Sequence, residues 1–185
     1  MDIAQKILDG SVFDSVDKRI VTGLTLIGGA AVAKKVLSTL GSFWLHVLRP
    51  SPDLLKIYGP GWAVITGGTF GIGMETAKEL ARKGFNVFII ARSSEKLDTV
   101  EKEIKAESPN IEVRTLVFDF KTRNLQDYED VIKPALSGII SDVAILVNNV
   151  GYGRVSTLHE TSDEDLWDQF YVNMVGQTYL TKLLI

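Results

Sequence analysis

The sequence predicts an α/β fold built on a doubly wound parallel sheet, with an apolar helical segment ahead of it. Three observations carry this reading. From residue 61 onward, short apolar runs alternate with helical patterns, the order that builds βαβ units. The first run ends in a glycine-rich turn that opens directly into a helix (WAVITGGTFGIG, Trp62 to Gly73). The second run, Val87 to Ala91, is continuously apolar rather than alternating, as strands covered on both faces are. A chain of 185 residues with 45% apolar and 23% charged side chains can bury a core of ordinary size.

Residues 1–58 read as a hydrophobic segment and linker, and residues 59–185 as the folded domain. Ile20 to Ala33 is uncharged; Lys34-Lys35 interrupts it, and Val36 to Leu48 is again mostly apolar. Neither half reaches the ~20 residues of a spanning helix. Together they do, with the lysines snorkelling or sitting inside a hairpin of two short segments. The alternative is a pair of soluble helices packed on the domain. A secretory signal fits poorly, because acidic rather than basic residues dominate the start. Arg49-Pro50-Ser51-Pro52 and Tyr58-Gly59-Pro60-Gly61 then mark a linker.

The domain follows in order. Ala63 to Ile65 is the first strand. Met74 to Lys83 is helical, with Ala77, Leu80 and Ala81 on one face and Gly84 as its stop. Val87 to Ala91 is the second strand. Ser93 or Ser94 caps a helix with Leu97, Val100 and Ile104 inward, and Glu101 and Lys105 paired outside. Val113 to Phe118 is the third strand. A helix from about Asn124 turns Tyr128, Val131, Ile132, Ala135, Leu136 and Ile139 inward, with a kink at Pro134. Val143 to Val147 is the fourth strand, and Ser162 to Asp165 forms a capping box for a long final helix. Right-handed crossovers give the strand order 3-2-1-4. Ligands of such sheets lie at the carboxyl ends of the strands, near the switch point.

Those ends carry the chemistry. The turn at Gly67, Gly68, Gly71 and Gly73 can present backbone N–H groups to a phosphate, since a Cβ would hold a pyrophosphate away. A glycine-rich loop without a ligand is the alternative. The second strand ends Ile90-Ala91-Arg92-Ser93, where a carboxylate would bind the 2′-hydroxyl of NAD. A guanidinium suits a 2′-phosphate instead, which makes NADP(H) the expected cofactor. Otherwise Arg92 merely begins a loop. Asp119 stands where a carboxylate could meet an adenine amino group, or serves only as a turn residue. Asn148-Asn149-Val150-Gly151 follows the fourth strand; asparagine there can satisfy strand backbone, and glycine lets a ribose approach. The net charge of −3 and the lack of a basic stripe give no reason to expect a nucleic-acid partner. There is no cysteine, and His46 and His159 stand apart, so no metal is expected.

The runs TGGTFGIG, ARS, LVFDF and ILVNNVG, with Asn173 in the last helix, together resemble the short-chain dehydrogenase/reductase family, whose sheet is a Rossmann fold. NNVG, ARSSEKL, Gly-Pro-Gly-Trp before the first strand and the hydrophobic N-terminus look like its membrane-bound very-long-chain 3-oxoacyl-CoA reductases, also called 17β-hydroxysteroid dehydrogenase-like. The resemblance covers about residues 59–185. It implies hydride transfer from NADPH to a ketone on a long acyl-CoA, at the endoplasmic reticulum membrane with the catalytic domain facing the cytosol. It further implies that Gly67, Thr69, Phe70, Gly71, Ile72 and Gly73 line the pyrophosphate and ribose. Arg92 would meet the 2′-phosphate, Asp119 the adenine, and Asn149 with Gly151 the nicotinamide-side ribose. Asn173 would hold a water in the proton relay, or is simply a mid-helix asparagine. A homodimer is left open.

The family's chemistry also needs a serine and a Tyr-x-x-x-Lys pair, in which the lysine lowers the tyrosine pKa. No such pair occurs, and Tyr179-Leu180-Thr181-Lys182 has the wrong spacing. The chain is therefore expected to be the cofactor-binding part of a longer reading frame. Its fourth strand would be an apolar edge, and Leu183, Leu184 and Ile185 would lack the elements they pack against. Alternatives are a reductase of steroids or other lipid ketones, and a catalytically inactive nucleotide-binding or scaffold protein.

Overall fold

The computed structural model describes residues 17–185. Its contacts divide the chain after Pro52. In the first unit, helix α1 (Lys18–Phe43) starts where the Asp17 side chain accepts from the Arg19 N–H. A π-helical turn, Trp44–Leu48, continues it and closes with the Arg49 N–H on the Trp44 carbonyl. The resulting helix runs 31 residues with nothing buried, holds an 18-residue stretch of mean hydropathy 1.6, and is long and apolar enough to cross a membrane. At 1.5 Å per residue it extends about 46 Å, against about 30 Å of bilayer hydrocarbon. Lys34 and Lys35 do not break it. Lysine is a good helix former, so one continuous helix replaces both the hairpin and the helix pair that the sequence left open.

The second unit begins at Asp53, six residues before the expected domain start, with a helix the sequence reading placed in the linker. This is α2 (Leu54–Tyr58), capped by the Asp53 side chain and ended by Gly59 at φ +77°. Leu54 and Leu55 pack against the core. Strand β1 (Trp62–Thr66) is wholly buried. Helix α3 (Gly71–Arg82) buries Gly73, Ala77, Leu80 and Ala81, and Gly84 at φ +92° ends it. Strand β2 (Asn86–Ala91) leads to α4 (Ser94–Glu107), whose cap is Ser93, and β3 is Val113–Val117. Leu97, Val100 and Ile104 point inward, and Glu101 pairs with Lys105, as the spacing predicts.

The next helix departs from the sequence reading. It comprises a π-helical turn, Tyr128–Ile132, and one α-helical turn, α5 (Lys133–Leu136). The Lys133 N–H reaches back five residues to the Tyr128 carbonyl, immediately before Pro134, which has no N–H to give. This widening shifts the inward stripe, and Val131 is exposed while Tyr128, Ile132, Leu136 and Ile139 are buried. Strand β4 (Val143–Val147) then completes a parallel sheet of order β3-β2-β1-β4. That order is the one right-handed crossovers require. β1 pairs with β4 through a register shift after Trp62.

The final helix is not uniform either. It runs as α6 (Asp163–Phe170), a π-helical turn Tyr171–Val175, and α7 (Gly176–Leu184). Ser162 Oγ accepts the Asp165 N–H, but its hydroxyl donates to the Asp165 side chain, so only half of the expected capping box forms. One core layer joins α3 and α4 to the sheet; the other is centred on Phe118, Phe120, Tyr128 and Leu180. Leu183 and Leu184 pack against this second layer, and Ile185 is exposed. Tyr179 packs on the Tyr128 ring at 5.4 Å, with Lys182 Nζ over its own face, a packing role away from chemistry.

Candidate functional site

Four strands end at one cavity of about 420 Å³ at the carboxyl edge of the sheet. Its walls include Gly67, Thr69 and Phe70 after β1, Arg92, Ser93 and Lys96 after β2, Asp119 and Lys121 after β3, and Asn149, Gly151 and Tyr152 after β4. Parallel strands deliver their loops to the same edge, so residues far apart in sequence meet there. Gly67, Thr69, Phe70, Arg92, Asp119, Asn149 and Gly151, all expected at a ligand, line it together.

The glycines divide into two kinds. Gly67 and Gly71 have φ of +67° and +56°, a backbone that only glycine adopts without strain. Gly73 is buried, and a Cβ there would lie 2.3 Å from Asn149 Nδ2 and 2.6 Å from the Gly67 carbonyl. It therefore seats the helix against the strand ends and does not line the cavity, contrary to the expectation. Ile72 likewise faces outward, over α3, beside Leu54 and Glu75. Gly71 lies in that same outer cleft. At Gly151 a Cβ would meet nothing closer than 3.6 Å, so the protein's own packing does not demand glycine there.

Asn149 holds the strand ends together. Its Nδ2 donates to the carbonyls of Thr66 (3.0 Å) and Gly67 (3.1 Å). Thr66 Oγ1 in turn accepts the N–H groups of Asn149 and Val150, both at 3.0 Å. The sequence reading foresaw the asparagine satisfying strand backbone but passed over the threonine that completes the exchange. The rest of the loop is pinned to the final helix. Asn148 donates to Thr181, Gln177 to the Val150 carbonyl, and Asn173 grips Tyr152 at both backbone atoms. The Asn173 side chain accepts the Tyr152 N–H at 2.9 Å and donates to its carbonyl at 2.7 Å. Asn173 does not line the cavity; it stands in the π-helical turn and positions a residue that does.

At the end of β2, Arg92 is exposed and forms no ion pair among the described residues; Lys96 beside it has none either. Lys96 is a second cation that sequence reading did not single out; its position in the first turn after the Ser93 cap was the available signal. Asp119 accepts the Lys121 N–H through Oδ1, the turn role, while also lining the cavity. Around Tyr152, its hydroxyl donates to Asp165 (2.8 Å), which also takes Arg154 and Ser162. These bonds, that from Tyr152 first, hold the Asp165 pKa below its usual 3.8.

A model of the short chain dehydrogenase family matches residues 61–185. The chain is 42% identical to a very-long-chain 3-oxoacyl-CoA reductase of Caenorhabditis briggsae over 76% of its own length and 44% of that protein's. It is 34% identical to the very-long-chain 3-oxoacyl-CoA reductase of Mycosarcoma maydis, over 92% of this chain and 53% of the relative. It thus spans about half the length of the curated relatives it matches. Among solved structures it is similar to the L-sorbose reductase of Gluconobacter frateurii, complexed with NADPH and L-sorbose, at a TM-score of 0.60 and 25% identity, covering 66% of this chain and 45% of that one. Sheet order, glycine turn and strand-end asparagine agree with the match, and the chain belongs to the short chain dehydrogenase family.

Proposed function

We propose that the chain is the cofactor-binding part of an NADPH-dependent reductase of lipid ketones, with a very-long-chain 3-oxoacyl-CoA as the substrate class. The observation that carries this is the convergence of a glycine turn, two unpaired cations and a strand-end asparagine on one cavity. The residues fit a phosphorylated dinucleotide. Gly67 opens the turn, Gly151 leaves room beside the fourth strand, and the β2 end offers Arg92, Lys96 and Ser93 with no carboxylate among them. Arg92 and Lys96 would hold the 2′-phosphate by charge-assisted hydrogen bonds, and Asp119 the adenine amino group through its unengaged Oδ2. Asn149, fixed by Thr66, would place the nicotinamide-side ribose. The bound cofactor supplies hydride to the ketone carbon.

Proton delivery requires more than these residues hold. Tyr-x-x-x-Lys does not occur in the sequence, so the chain by itself is expected to bind cofactor without turnover. Asn173, whose side chain is engaged on Tyr152, is the residue proposed to hold a water of the relay. The names of the relatives support the acyl-CoA substrate, and the 31-residue apolar helix supports a membrane-held enzyme; the endoplasmic reticulum and a site facing the cytosol are what the family resemblance implies.

Titration calorimetry of the full chain with NADPH and NADH tests this reading. NADPH is expected to bind at least about tenfold more tightly than NADH, and Arg92→Glu to abolish that preference. Equal affinities in the unaltered chain would refute the 2′-phosphate assignment.

A further inference from the structure

Among the described residues, Asp168 is the one buried carboxylate, and it lies outside the cavity wall. A buried carboxylate persists only where cations offset its lost hydration. Here Lys121 Nζ stands at 2.8 Å and Arg123 at 3.7 Å. Lys121 belongs to the loop after β3, and its Nζ also sits 4.0 Å from the centroid of the Tyr152 ring, in the loop after β4. β3 and β4 are opposite edges of the sheet. Three strand spacings, about 14 Å, separate them, so no ladder hydrogen bond joins the two loops. Yet Lys121 and Tyr152 touch, and both line the cavity. The Asp168 hydrogen bond holds the Lys121 pKa above its usual 10.5, which keeps the ammonium charged over the aromatic face.

We propose that Asp168 is a positioning residue: through Lys121 it clamps Tyr152, and so sets the gap between the loop after β3 and the loop after β4. The ligand that uses this gap is the dinucleotide of the preceding reading, on which the affinity part of the inference rests. Tyr152 is then fixed at three points, its backbone by Asn173, its hydroxyl by Asp165 and its ring by Lys121. Removing Asp168 or Lys121 frees the ring face while leaving every residue proposed to touch the cofactor phosphates in place.

Hydrogen exchange of the peptide spanning residues 148–157, measured on the full chain without ligand, tests the clamp directly. Asp168→Asn and Lys121→Met are each expected to speed exchange at residues 150–153 and to weaken NADPH binding about tenfold. The double variant should be no worse than either single one, because both remove the same interaction. Lys121→Arg, which keeps the charge, should restore protection and affinity. Unchanged exchange in Lys121→Met, or losses that multiply in the double variant, overturn the proposal. If Asp168→Asn loses its helical circular dichroism, the Lys121 pair alone decides, since that side chain is partly exposed and its removal leaves Arg123 beside Asp168. Failure of the unaltered chain to bind NADPH refutes the cofactor reading and leaves the exchange result to judge the clamp.

Discussion

At residue scale, two glycines of the site invite opposite outcomes from the same substitution. Gly73→Ala puts a methyl group against the Asn149 amide and the Gly67 carbonyl, neither of which has room to retreat. A loss of about 2 kcal/mol is expected, in the range of overpacked sites, and thermal unfolding measures it. Gly151→Ala meets only ordinary contacts, so the melting temperature should hold while NADPH affinity falls. A third case is Tyr128, fully buried with no partner for its hydroxyl among the described residues. Burial pushes its pKa from 10.0 to about 12, so folding keeps a proton that the unfolded chain releases. That contribution is intact below pH 10 and is lost as pH rises toward 12. Tyr128→Phe should stabilise the fold by about 1 kcal/mol at neutral pH and flatten the alkaline decline. Much of this scale was legible in the sequence: Gly67, Arg92 and Asn149 stand where strand ends predict. The Asn173 grip on Tyr152 and the Lys121–Asp168 pair were not, because they depend on side chains meeting across 21 and 47 residues with no local signature.

At the scale of elements, short apolar runs located all four strands, and right-handed crossovers gave their order. Helices α3 and α4 were equally legible from their caps and 3.6-residue stripes. What escaped were the three π-helical turns, each of which adds one residue to a turn without changing composition. Pro134 gave the only hint. Helix α2 escaped because glycine and proline on either side read as linker, though Asp53 before Leu54-Leu55 is a capping signal. Beyond the ladder between β1 and β4, one hydroxyl holds the loop after β4 to the end of β1. Thr66→Val keeps the shape but removes the acceptor for the Asn149 and Val150 amides. A cost of about 2 kcal/mol is expected from two part-buried amides left unpaired, together with faster exchange at both.

For the whole molecule, α1 is the element on which the proposed membrane association rests. With the π-helical turn that continues it, α1 makes 31 residues, none buried, which should keep the full chain in the membrane pellet through high-salt and carbonate washes. Deleting residues 1–52 should release the remainder to the supernatant, and a full chain that washes off would remove the membrane anchor from the proposal. A parallel sheet also has a history in time. Thr66 and its partners on the β4 loop are 81 to 84 residues apart, so the first strand is made long before the residues that finish its end. The pairings of β1, β2 and β3 have shorter loops to close, so β4 is expected to dock last. The nucleotide pocket therefore comes into being only with the final docking step. A ligand that binds it stabilises the assembled sheet alone, by RT ln(1 + [L]/Kd), and at a hundredfold excess over Kd that is about 2.7 kcal/mol. On the proposed cofactor reading, the folding of this chain and its loading are expected to become a single event, and resistance to proteases would report both.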